Sequence, residues 1–256
     1  MSDFDRNYAT LRGVGTDRAV AYDMGLRAHM IRVYNYMASG VALTGVAAWL
    51  TYQMAGGDAI RVTGNTVVGL TPIGQALFHG PLMWVLVLAP LGLVLFISFR
   101  IQYMQAPTAR LLFFVYAGLL GLSLATIFMV YTQASITRVF LISAASFGAL
   151  SLYGYTTPRS LNAMGSFLIM GLFGLIIASL VNIFLKSSRL DWALSVIGVL
   201  IFAGLTAWDT QKIKEFYDPQ DDGTVAGRKV VMGALSLYLD FINMFMMLLR
   251  LFGDRR

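Results

Sequence analysis

At 256 residues, 57% of them hydrophobic and only 12% charged, with a mean hydropathy of +0.69, the chain has too little polar surface to coat a soluble globule and reads as an integral membrane protein with no separate soluble domain. A net charge of +6 would point to nucleic acid in a soluble protein, but here the bases sit in short loops and at span ends, where they set topology and meet anionic lipid, so no nucleic-acid partner is expected. Zero cysteines exclude disulfides, thiolate metal sites and cysteine nucleophiles, and two histidines, His29 and His79, exclude a multi-histidine metal site.

Residues 1–30 are polar, with Arg6, Arg12, Arg18 and Arg27 set against Asp3, Asp5, Asp17 and Asp23. No apolar stretch follows a basic start in the manner of a cleavable signal, so this is predicted as a cytoplasmic segment ahead of a transmembrane domain over 31–256. The first span, 31–54, opens on Arg32, Tyr34, Asn35 and Tyr36 and then turns apolar. A glycine-rich loop with Pro72 follows, too polar to span. Span two, 77–99, carries Pro81 and Pro90 and ends at Arg100. Spans three, 111–131, and four, 139–155, are separated by a few residues and form an antiparallel hairpin. Span five, 161–185, has Gly165, Gly171, Gly174 and Ser179, small residues that let helices approach closely. Span six, 190–208, finishes in WDTQKIKEFYD, and the turn-rich DPQDDGT precedes the last span, 230–253.

Twelve of the nineteen Lys and Arg fall on the side of the N-terminus when seven spans are threaded, which makes that side cytoplasmic by the positive-inside rule. The basic tail and the polar residues of the last segment leave a re-entrant final segment open.

The last span carries the chemistry. Asp240 lies about eleven residues into it, roughly 15 Å deep at 1.5 Å per residue, near the middle of a hydrocarbon core about 30 Å thick. An acid there is tolerated chiefly when it faces protein or water, so the helix bearing it should be enclosed by the others. Gly233, Ser236, Asp240, Asn243 and Met247 recur at steps of three and four, so Ser236 and Asn243 extend one polar face around the acid. If the span-six helix continues through TQKIKEF, Asp209 lies one or two turns inside it and meets Asp240. Two carboxyls in a dry interior cannot both stay ionised without repelling, so they share a proton and can act as a latch. Arg100, on the same side, could pair with Asp209 when the latch opens. Plainer roles stand beside these: a hydrogen-bonded structural acid for Asp240, a solvated helix-end acid for Asp209, a topology marker for Arg100.

The final block ALSLYLDFINMFMMLLRLFG, together with WDTQKIKEFYD and the run ASFGALSLYGY over 145–155, resembles the Bax inhibitor-1 family, also called the transmembrane Bax inhibitor motif family, in its bacterial form. The resemblance covers the chain from span one onward. It implies an all-α fold of seven transmembrane helices, six wrapped around a central C-terminal one, and a pH-sensitive calcium leak gated by an aspartate pair. By motif match those acids are Asp209 and Asp240, with Arg100 as their exchange partner. Trp208 stands where the family often has Tyr.

Calcium suits carboxylate oxygens, but Asp209 and Asp240 supply too few ligands for a tight site, so the metal would be passed along as cargo; no cofactor is expected. The expected partners are calcium, protons and the bilayer of a bacterial inner membrane. Two further readings stand: a modulator of a membrane protease or another membrane partner, and an intramembrane aspartyl protease, whose second acid would sit in Gly-x-Gly-Asp, not in Tyr238-Leu239-Asp240.

Overall fold

The computed structural model describes residues 3–63, 66–78 and 80–256, with side chains described from Tyr22 onward except at 61–66. His79 and the side chains of Arg6, Arg12 and Arg18 lie outside the described residues.

Apart from one small hairpin the architecture is helical. Helix α1 (Asp3–Ala55) is followed by the antiparallel strands β1 (Arg61–Thr63) and β2 (Thr66–Val68) and the short α2 (Pro72–Phe78). Then come α3 (Leu82–Arg100), α4 (Ala106–Leu124), α5 (Thr126–Val130), α6 (Gln133–Thr156), α7 (Asn162–Leu185), α8 (Ser188–Glu215) and α9 (Gly223–Phe252). Among the described residues six helical stretches are long and apolar enough to cross a membrane, those built on α3, α4 with α5, α6, α7, α8 and α9. The expected first span is not among them, because Arg32, Asn35, Ser39, Thr44 and Thr51 dilute its apolar character. Helix α1 runs from Asp3 through the polar segment and the expected first span without interruption.

Placing the C-terminal helix at the centre agrees with the structure: 67% of the α9 span is buried, against 17% for α3 and for α7. The arrangement of the other six differs from a single ring. Helices α1, α4, α6 and α8 pack directly on α9, while α3 rests on α4 and α7 on α8 as an outer layer. Lipid-facing leucine, isoleucine and phenylalanine need no partner in a bilayer, so two helices can sit outside without cost.

Small residues set the close approaches. A Cβ at Gly154 of α6 would fall 2.1 Å from the Ala207 carbonyl oxygen of α8, and one at Gly121 of α4 would fall 2.6 Å from the Thr44 carbonyl oxygen of α1. Gly165 of α7 lies flat against the Trp208 indole of α8, whose Nε1 donates to Asn162 Oδ1. The two central helices start at side-chain caps, Ser187 accepting from the Leu190 amide and Asp222 from the Val225 amide.

The connections before α4, α7 and α9 lie at one end of the bundle, called here the lower end. The α9 helix runs without a break from Gly223 to Phe252 and delivers the tail to the upper end. There Thr132 donates its amide to the Asp254 carbonyl, Arg256 donates its amide to the Val130 carbonyl, and the Arg256 guanidinium reaches Tyr52 Oη at 2.8 Å and Asp58 at 3.6 Å. The tail thus ties the end of α1 to the turn between α5 and α6. The hairpin loop beside it uses Gly56 and Gly69 at φ 134° and 83°, backbone that a side chain would strain.

Candidate functional site

The α8 helix does continue to Glu215, as the sequence expectation required, and so carries Asp209 inside the bundle. Its pairing with α9 is the most extensive in the molecule. Gly233 of α9 lies against Ile213 and Gly198 of α8 against Met247, so small residues on both sides bring the helices together above and below the acids. Asp240 is 4% exposed and Asp209 is half-buried. Their carboxyl groups come within hydrogen-bonding reach of each other.

The pairing has a protonation requirement. With both groups ionised, Asp240 Oδ2 is buried and has no hydrogen-bond donor. A carboxylate only accepts, so one proton held between the two acids is the arrangement that gives this oxygen a partner and removes one of two buried like charges. Burying an unpaired charge costs several kcal/mol, which makes that proton part of the packing.

Asp209 lines a cavity of about 480 Å³ at the lower end, bounded by α1, the turn after α3, α8 and α9. Ser236 lines it as well, one helical turn before Asp240. Asn243 is half-buried on the same face and donates to the Leu239 carbonyl of its own helix at 2.8 Å. On the far side of Asp240 the buried α9 side chains are Phe241, Ile242, Met244, Phe245, Leu248 and Leu249. The acids therefore have polar access from the lower end and an apolar plug above them.

Arg100 is not brought to the pair. It is exposed at the end of α3, outside the cavity, and makes no ion pair among the described residues. The base that acts on Asp209 in this conformation is Lys212, three residues along α8. Among the described residues no third acid or histidine joins the carboxyls in a group fit to hold a resident metal.

Sequence reasoning did not find the buried hydroxyls that link α8 to its neighbours. Thr206 and Thr210 of α8 are fully buried, and Thr210 Oγ1 meets Ser151 Oγ of α6 at 3.0 Å, which in turn meets Tyr34 Oη of α1. The signal was present, since Thr206 and Thr210 stand four residues apart, one helical turn, on the helix that carries Asp209, and Ser151 lies in the run ASFGALSLYGY. Nor was Tyr238 singled out. Wholly buried two residues before Asp240, it shares a 2.6 Å hydrogen bond with Thr44 Oγ1, which also reaches the Ala117 carbonyl at 2.9 Å. Thr44→Val leaves the Tyr238 hydroxyl buried without a partner and is expected to cost about 1–3 kcal/mol, whereas Tyr238→Phe removes the stranded group itself and is expected to cost about 1 kcal/mol. Thermal unfolding of the two variants in detergent checks the order, and equal losses would show that the bond carries no weight.

His29 is 2% exposed, lines the same cavity, and has no hydrogen-bond partner at Nε2. Burial, with Arg32 and Lys229 nearby, holds its imidazole below the usual pKa and hence neutral.

Comparison with known proteins places this geometry in context. The sequence profile of the family described as "Inhibitor of apoptosis-promoting Bax1" matches residues 26–256. RP147 of Rickettsia prowazekii is 45% identical over 256 residues, covering the whole of both chains. The inner membrane protein YbhL of Escherichia coli K12 is 43% identical over 243 residues, 94% of this chain and 97% of its own. YrjE of Lactococcus lactis is 37% identical over 93% of this chain and 96% of its own.

Proposed function

This chain belongs to the Bax inhibitor-1 family of membrane proteins, and from that premise we propose that it is a pH-sensitive calcium leak whose gate is the proton-sharing pair Asp209 and Asp240. The observation that carries the reading is the meeting of the two carboxyls, with Asp240 Oδ2 buried and donorless and Asp209 open to a cavity. Loss of the shared proton leaves two like charges between α8 and α9, and their repulsion favours a different packing of the central helix. In the present packing the plug above Asp240 closes the path.

Calcium crosses as cargo. Asp209 and Asp240 offer it brief oxygen contacts, and Ser236 and Asn243 continue the polar face on either side. Arg100 acts as the partner of Asp209 only after the end of α3 has shifted; in the closed form Asp209 feels the charge of Lys212 without an ion pair. In this reading the chain resides in a bacterial inner membrane, as YbhL does by name, with the first half of α1 and the lower end on the cytoplasmic side. Twelve of nineteen bases at that end support the orientation.

Purified chain reconstituted into liposomes that contain a calcium indicator is expected to pass calcium faster than protein-free liposomes, at a rate that changes between pH 5 and pH 8. Flux at the protein-free level at every pH would overturn the assignment.

A further inference from the structure

The lower-end cavity is not the vestibule that cation passage alone would call for. Three bases stand on its wall, Lys212 from α8 and Arg228 and Lys229 from α9. The acids that face them are Asp209, on the wall, and Asp221, which pairs with Lys229 at 2.5 Å. Lys212 lies over the Trp208 and Phe216 rings, 4.7 and 5.6 Å from their centroids, and one guanidinium nitrogen of Arg228 donates to the Gln102 carbonyl. Among the described residues neither Lys212 nor Arg228 has an ion-pair partner. Positive charge therefore collects where a departing divalent cation would have to pass.

The rest of the wall is greasy. Ile101, Ile213, Phe216, Val225 and Met232 line it. A concave space of this size with a few converging polar groups on an apolar wall is the usual form of a small-molecule site. Guanidinium and ammonium groups from two helices suit a phosphate, the guanidinium through paired N–H donors and the ammonium as a point charge.

We propose that this cavity is a binding site for a phosphate-bearing anion, held by Lys212 and Arg228 with the apolar wall taking any attached chain. The proposal stands independently of the gate: it needs the cavity and its bases, not proton sharing.

The test uses the full chain purified in a neutral detergent, titrated with dihexanoyl phosphatidic acid and separately with inorganic phosphate, and read by calorimetry. Saturable binding of the short-chain lipid is expected, weakened at least about tenfold in the double variant Lys212→Gln/Arg228→Gln, retained in Lys212→Arg, and unchanged in Arg189→Gln at the opposite end. Equal binding of inorganic phosphate would assign the site to the free ion; much weaker binding would assign it to a lipid headgroup. A melting midpoint for the double variant within a few degrees of the parent shows that loss of binding is not loss of fold. Absence of saturable binding by either probe, or binding that the folded double variant retains, overturns the proposal.

Discussion

Asp240→Asn is expected to fix the calcium flux at a single rate across the pH range in which the parent protein varies. A pair that shares one proton carries one negative charge and one internal donor. Asparagine at 240 opposite an ionised Asp209 carries the same charge and supplies an amide N–H where the shared proton stood. The variant therefore copies the singly protonated pair wherever Asp209 is ionised, and its rate there should equal that of the parent at the pH where the pair holds one proton. Asp209→Asn should give the same fixed rate, because the shared proton belongs to both acids and not to either. The parent's range is set by the repulsion released, about tenfold in rate for each 1.4 kcal/mol. Flux from reconstituted liposomes at stepped pH measures all three proteins. Parental pH profiles in both single variants would remove proton sharing as the gate. The asparagines fill nearly the same volume, so folding should survive and the comparison isolates charge.

The second large effect is steric. Gly154→Leu is expected to destabilise the bundle by more than about 3 kcal/mol, beyond the usual range for overpacked cores, because the obstacle is backbone and cannot change rotamer. A Cβ there would stand 2.1 Å from the Ala207 carbonyl oxygen, so α6 and α8 must separate along their length. Separation breaks the 3.0 Å contact between Ser151 and Thr210 and loosens the α8 face that carries Asp209. Gly148→Leu is the control. It lies on the same helix, exposed, with nothing within 4 Å of an added Cβ, and should be nearly neutral in a bilayer. Yield of monodisperse protein and the thermal midpoint report both. Equal behaviour of the two variants would show that the α6–α8 approach does not limit stability.

How much of this could be read from residues differs from element to element. Asp240 announced itself because an acid deep in a continuous apolar run can be held there only by enclosure, and α9 is indeed the buried centre of the bundle. Asp209 required one assumption, that α8 outlasts its apolar part through TQKIKEF, and α8 does run to Glu215. Arg100 shows the limit of counting along the chain. Its position at the end of span two fixes its depth but not its direction, and it faces outward while Lys212 takes the place beside the acid.

Composition and periodicity, acting alone, determined what does not depend on neighbours: that the chain belongs in lipid, where its apolar runs lie, and which helix bears an acid that lipid will not tolerate. Those are one-dimensional properties, set by the cost of moving each residue type out of water. Tertiary packing decided the rest. Two helices stand outside the ring because lipid is as good a neighbour as protein for their side chains. The tail is pinned at the upper end by Tyr52, Asp58 and the backbone near Tyr131. Three bases and a buried histidine converge on one cavity because α1, α8 and α9 happen to end their apolar stretches at the same depth. Convergence of residues from distant parts of the chain is a matter of rotation and register between helices, and no spacing within a single helix encodes it.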